Sequence, residues 1–338
     1  MKICTREATV ILFSKQYLKK LKNIITLLIE NFPYSSVLNL TKMKKRKLQH
    51  RLEFWLIVFF AGIFRLLPHK WAVCCGMSIG GFAYKRLKIR RNVALSNLKI
   101  AFPQKTLEEL EDIAYRSYRH WGGVGAEFAR LPLFNRKHMD KYITFTGQDV
   151  LNNSVALGKG GLIISGHFGN WEVMGPSAVM KGYGVTYIVA TQTNKLVDKK
   201  MDDLRKDKGI EIWKTREAPR GVFKSLKNNS FIAIMIDQDA GKDCVFVDFF
   251  SKSASTHRGP AVFHLRTGAP LIKSSCIRTK GPYYTINFEE IILPESVKLA
   301  ENVTKEMMAY LTGILEEQIK EHPEQYFWMH KRWKTRPV

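Results

Sequence analysis

From about residue 143 onward, short apolar runs alternate with amphipathic stretches. The pattern predicts strands at 142–146, 161–166, 184–190, 210–213, 231–236, 245–249, 270–277 and 283–290. It predicts helices at 147–157, 170–182, 195–208, 219–228, 257–268 and 300–321. Phe231-Ile232-Ala233-Ile234-Met235-Ile236 is apolar at every position, as in a strand covered on both faces. Strand–helix alternation of this kind predicts an α/β fold with a mostly parallel central sheet flanked by helices.

The pattern upstream is different. Phe54 to Phe64 is the most hydrophobic stretch, and with Leu66, Leu67 and Pro68 it reaches about fifteen residues, short of the ~20 that cross a bilayer comfortably. Trp71 to Tyr84 is a second apolar stretch. Lys44 to Arg51 precede the pair and Lys85 to Arg91 follow it. A shallow helical hairpin or one tilted transmembrane helix, with the body on the positive, cytoplasmic side, fits this flanking. Two buried helices of a soluble domain are the alternative. Thr106 with Glu109 opens a further helix expected to run to about Trp121. Glu127 follows a stretch of small residues where helices can approach closely, and it reads as a surface carboxylate.

Residues 1–51 carry twelve Lys and Arg against Glu7 and Glu30. Val10 to Phe32 reads as a basic amphipathic helix on anionic lipid. Met43, heading a basic run before the apolar stretch, reads equally as a natural start. The expected organisation is therefore a basic extension at 1–42, membrane-associated helices at 43–92 and a catalytic domain at 93–338.

Charge narrows the partners. The 338 residues carry a net charge of +24, so anionic partners are expected: a phospholipid surface, a phosphorylated substrate or an acidic carrier protein. No nucleic-acid-binding signature accompanies the charge, so nucleic acid is not an expected partner. The five cysteines form no CxxC pair and no zinc spacing, which indicates reduced thiols and no metal site.

Candidate chemistry centres on Leu162 to Glu172. An apolar strand ends in Gly166-His167, and Phe168-Gly169-Asn170-Trp171-Glu172 follow. Gly166 and Gly169 permit a tight exit. Asn170 would cap a helix with Glu172 in its first turn. His167 then stands at the carboxyl end of a strand, where open α/β sheets bind ligands. With Glu172 orienting the ring, His167 could act as a general base on a substrate hydroxyl.

His167-Phe168-Gly169-Asn170-Trp171-Glu172 resembles the His-x4-Asp/Glu block of glycerolipid-type acyltransferases, and its spelling is similar to that of the bacterial lipid A late acyltransferases. Further matches include Asn97-Leu98 with Phe102-Pro103, Asn194 and Arg205, and Asp237-Gln238. They continue through Thr256-His257-Arg258-Gly259-Pro260-Ala261, Gly268-Ala269-Pro270 and the aromatic–basic tail Pro323 to Lys334. Thr191-Gln192 stands where that family often carries an arginine.

The resemblance implies a membrane-bound O-acyltransferase of the cell inner membrane, acting in lipid A and lipopolysaccharide biosynthesis. It implies an acyl carrier protein thioester, or acyl-CoA, as donor and a hydroxyl of a phosphorylated lipid as acceptor. No cofactor is expected. His167 and Glu172 would be catalytic, and Gly169, Asn170, Asn194, Arg205, Asp237, Gln238 and Arg258 would contact substrate. Backbone N–H groups near Gly169-Asn170, with Arg258, would stabilise the oxyanion. Asn194 also reads as a helix cap, Asp237 as a loop organiser and Arg258 as a surface arginine. The tail suits a lipid–water boundary or the capping of the core, with RNA stacking a third reading that lacks a recognition fold. Alternatives are acylation of a lysophospholipid or another glycolipid, thioester hydrolysis, and a non-catalytic protein that binds anionic membranes.

Overall fold

The computed structural model describes residues 40–242 and 244–337, so the amphipathic stretch expected at Val10 to Phe32 lies outside the described residues. In chain order the strands are β1 (Ile143–Thr146), β2 (Gly161–Ser165), β3 (Val185–Val189), β4 (Ile210–Lys214) and β5 (Phe231–Met235), then β6 (Val245–Phe249), β7 (Lys252–Thr256), β8 (Leu271–Lys280) and β9 (Tyr283–Glu290). Seven of them form one sheet in the order β1-β9-β8-β2-β5-β3-β4. All neighbours in it are parallel except the β8–β9 hairpin. The predicted α/β class, with a mostly parallel central sheet flanked by helices, is therefore the one observed.

The sheet is buried on both sides because its central strands are apolar at consecutive positions. Leu162, Ile164, Ile232 and Ile234 point into one core, with Leu98, Leu110, Ala261 and Leu311 from the covering helices. Ile163, Phe231 and Ala233 point into the other, with Leu151, Val173 and Ala178. The period of two sends successive residues to opposite faces.

The strand that the pattern does not predict is β7. Lys252-Ser253-Ala254-Ser255-Thr256 lacks a hydrophobic signal and pairs with β6 in a separate two-stranded ribbon. The two residues that join them, Phe250 and Ser251, both have positive φ, 53° and 55°. Such hairpin turns are normally written with Gly, Asn or Asp. Here the backbone is held by packing, since the buried Phe250 ring meets Phe102, Phe249 and Trp328.

Helix Leu107–Ala129 carries the expected capping box between Thr106 and Glu109 and runs eight residues past Trp121. Helix His69–Phe82 packs along it at very short range. A Cβ on Gly76, Gly80 or Gly122 would strike the backbone of the other helix. The preceding helix, Leu40–Leu66, is pinned near its end by the Arg130 guanidinium, which donates to the carbonyls of Phe64, Arg65 and Leu67. Leu48, Leu52, Trp55, Phe59, Ile63 and Leu66 remain exposed on it, at spacings of three and four that keep them along one side.

No helix among the described residues is long and apolar enough to cross a membrane. The expectation of a transmembrane helix is corrected accordingly. The most hydrophobic stretch, Phe54 to Phe64, is flanked by charge within the same helix and stops short of a bilayer's thickness.

The C-terminal segment is not a surface element. Pro323 to Arg332 runs through the molecule as a strap in which Gln325, Tyr326, Trp328, Met329 and Arg332 are buried. Arg332 donates to the Ser255 carbonyl and, at 2.5 Å, to the Thr256 hydroxyl. Asn97 reaches the carbonyls of Trp328 and His330 at 2.8 and 2.6 Å. Of the roles the sequence allows for this tail, the core-capping one is observed.

Candidate active site

Strands β2 and β5 lie side by side in parallel, with Ser165 opposite Met235. Two residues further along each chain are His167 and Asp237. Register therefore delivers both side chains to one place at the carboxyl edge of the sheet.

The Asp237 carboxylate holds the histidine twice. One oxygen accepts from the His167 backbone N–H and the other meets ring Nδ1, both at 2.9 Å. Its side chain is 2% exposed and that of His167 is 23% exposed. Burial by itself would raise the Asp237 pKa. The charge and hydrogen bonds of His167, with Arg332 beyond, outweigh it and hold the carboxyl at about 2 instead of 3.8. Burial, followed by the charge of this carboxylate, pushes the Tyr326 phenol pKa well above its ordinary value. The Asp237 carboxylate on Nδ1 selects the tautomer that carries its proton on that nitrogen, which leaves the lone pair of the neutral ring on Nε2. Nε2 faces the Gln238 amide nitrogen at 3.1 Å. The ring packs edge-on against Trp171, with centroids 4.9 Å apart, and Phe327 closes another side at 6.4 Å.

Glu172 has a different partner. Arg205 donates to both of its oxygens, at 3.0 and 2.5 Å, and the Trp171 indole adds a third bond at 3.1 Å. Both members of the ion pair are buried. The expected Glu172–His167 contact is replaced by Asp237–His167. Helix Trp171–Met180 turns its first-turn carboxylate toward Arg205 on helix Lys195–Lys206.

The turn after His167 is locked, which corrects a second expectation. Gly169 has φ +63°, and a Cβ there would strike the Cys276 carbonyl oxygen. Its N–H donates to Gln325 O at 3.1 Å, and the Asn170 N–H donates to Cys276 O at 2.9 Å. Both N–H groups expected to meet an oxyanion are already engaged within the protein. Asn170 is fully buried, and its amide donates to Glu127 and Tyr284. Its side chain faces the interior.

Asn194 caps helix Lys195–Lys206 and ties it to the first helix through His50 O and Glu53. Arg258 is exposed at the start of helix Gly259–Thr267. Among the residues singled out, Asp237 and Gln238 meet the His167 ring.

Sequence reasoning misplaced Glu127. It is buried and bonds Arg278 through both oxygens, at 3.2 and 2.6 Å, and also the Tyr284 hydroxyl. Its partners lie about 150 residues away in the chain, so no local spacing announces them. His120 joins the same network, with Nε2 3.1 Å from Gly169 O. Burial, reinforced by the Arg278 charge, lowers its pKa to about 3.

Comparison with known proteins adds to this geometry. The sequence model for the bacterial lipid A biosynthesis acyltransferases matches residues 40–335. The chain is 28% identical to the lipid A biosynthesis palmitoleoyltransferase of Escherichia coli, over 85% of this chain and 93% of that protein. It is 25% identical to the lauroyltransferase of the same organism, over 88% and 97%. A phosphatidylinositol mannoside acyltransferase of Mycobacterium tuberculosis is 26% identical over 47% of this chain and 52% of its own length.

Proposed function

The chain belongs to the bacterial lipid A biosynthesis acyltransferase family, and on that premise we propose that it moves a fatty acyl chain from an acyl carrier protein thioester, or acyl-CoA, to a hydroxyl of a phosphorylated lipid A precursor. The observation that carries this reading is the His167–Asp237 pair: a partly exposed imidazole at a sheet edge, with its Nδ1 held by a buried carboxylate.

Asp237 accepts the Nδ1 proton and so points the Nε2 lone pair outward. The acceptor hydroxyl takes the place beside Nε2 where the Gln238 amide now sits. Nε2 removes its proton as the oxygen attacks the thioester carbonyl carbon. The tetrahedral intermediate collapses, the C–S bond breaks, and the imidazolium returns the proton to the leaving thiolate. Asp237 stabilises the transient positive ring. Glu172 and Arg205 serve this chemistry by bracing the helix that follows the histidine turn. The oxyanion donor comes from outside residues 167–170, because their N–H groups donate within the protein.

The site works at the inner membrane, with the catalytic domain on the cytoplasmic face. Support comes from the exposed stripe of helix Leu40–Leu66, where Trp55 and Phe59 are 65% and 63% exposed and basic residues lie toward the amino end. Apolar side chains enter the acyl boundary while lysine and arginine meet anionic headgroups.

Purified protein is incubated in anionic vesicles with radiolabelled acyl-acyl carrier protein, with and without a phosphorylated glycolipid acceptor. Acceptor-dependent lipid labelling by wild type, lost in His167→Ala, is the expected outcome. Release of free fatty acid regardless of acceptor would show a thioesterase instead.

A further inference from the structure

We propose that a cationic groove between helix Leu107–Ala129 and the β8–β9 turn binds a phosphate group of the lipid acceptor; this rests on the acyl-transfer reading above. The groove is open to solvent and has a volume of about 230 Å³. Arg116, Arg119, Arg278 and Lys280 line it, and Glu324 is the one carboxylate in its lining among the described residues.

The charges are not equivalent. Arg278 is committed to Glu127, and Arg116 bonds Glu324 at 2.8 Å and reaches Asp112 at 3.6 Å. Neither Arg119 nor Lys280 has a carboxylate partner among the described residues. Arg119 lies over the Tyr115 ring at 5.8 Å, and Lys85 lies over the same ring at 4.4 Å. Arg119 and Lys280 thus stand along one opening with no carboxylate partner among the described residues. A phosphate accepts several charge-assisted hydrogen bonds, and guanidinium and ammonium groups are the usual donors.

The groove is also linked to the histidine turn. Its wall includes His120 and Gln325. Both are bonded to Gly169, two residues beyond His167: His120 at the carbonyl, 3.1 Å, and the Gln325 carbonyl at the N–H, 3.1 Å. Gln325 further exchanges two 2.9 Å bonds with the Arg278 backbone. A headgroup phosphate held there would anchor the acceptor beside the histidine turn, leaving a neighbouring hydroxyl to reach Nε2.

The test uses wild type and Arg119→Gln/Lys280→Gln in lipid–detergent micelles. The acceptor is a phosphorylated glycolipid, offered intact and after phosphatase treatment. Both acyl transfer and equilibrium binding by calorimetry are measured, with inorganic phosphate as competitor. Wild type should favour the phosphorylated form by about tenfold, the value of one charge-assisted contact. In the double variant that ratio should fall to near one, through acceptor KM and Kd, with rescue in Arg119→Lys. An unchanged ratio would overturn the proposal. So would a change confined to donor KM, which would assign the groove to the carrier protein, or inorganic phosphate binding as tightly as the glycolipid. Selective binding by wild type without any acyl transfer would refute the acyl-transfer reading and leave the groove standing.

Discussion

At the scale of single residues, the chain states its base openly and hides the acid that serves it. His167 is legible because a strand, two glycines and a polar cap surround it. Its partner is not, because Asp237 lies seventy positions away and only the β2–β5 register brings the two together. Glu172 looked the better candidate because it is near in sequence, but it is spent on Arg205. That pair makes its own prediction. Glu172→Gln leaves a buried guanidinium without its counter-charge and should cost about 3–5 kcal/mol of stability, read by urea titration. Replacing both residues with apolar side chains of similar volume should recover much of that loss.

At the scale of elements, periodicity located eight of the nine strands and failed at β7. The failure is physical: a polar strand joined by a turn without glycine carries no local signal, and the ribbon owes its place to the ring cluster around Phe250 and to Arg332. The tail was ambiguous for a related reason. Interleaved aromatic and basic residues look alike at a lipid boundary and in a buried strap, and only the partners distinguish them. Trp328 is almost wholly buried, and its indole donates to Pro323 O at 2.7 Å. Trp328→Ala should destabilise by about 3–5 kcal/mol, the usual range for a large buried ring, with a matching fall in melting temperature. The exposed stripe of helix Leu40–Leu66 makes no such demand on folding. Trp55→Glu with Phe59→Glu should leave the melting temperature within a few degrees and reduce recovery on anionic vesicles in flotation. Unchanged flotation would remove the stripe from the membrane account.

For the whole molecule, the α/β class and its parallel sheet followed from alternation alone, whereas the long-range polar network around Glu127 did not. That network and its neighbours set the response to acid. His120 is buried and His69 and His330 are half-buried, and desolvation lowers their pKa values to about 3, 4 and 4 respectively. The unfolded chain therefore binds protons near pH 6.5 that the folded protein refuses. Stability should be full above that pH and decline as pH falls from about 6.5 to 4. Asp237, depressed to about 2, adds a further loss only below about pH 4. Melting temperatures measured from pH 8 to pH 3 check both windows.

The central claim is that a carboxylate from the neighbouring strand, and not the one five residues downstream, aims the imidazole. Acyl transfer by folded Asp237→Asn and Glu172→Gln, each verified by circular dichroism and assayed at saturating donor and acceptor, tests it directly. The account predicts a fall in kcat of about 10²-fold or more for Asp237→Asn, and a much smaller one for the folded fraction of Glu172→Gln. Full activity in Asp237→Asn, beside an inactive but folded Glu172→Gln, would contradict it.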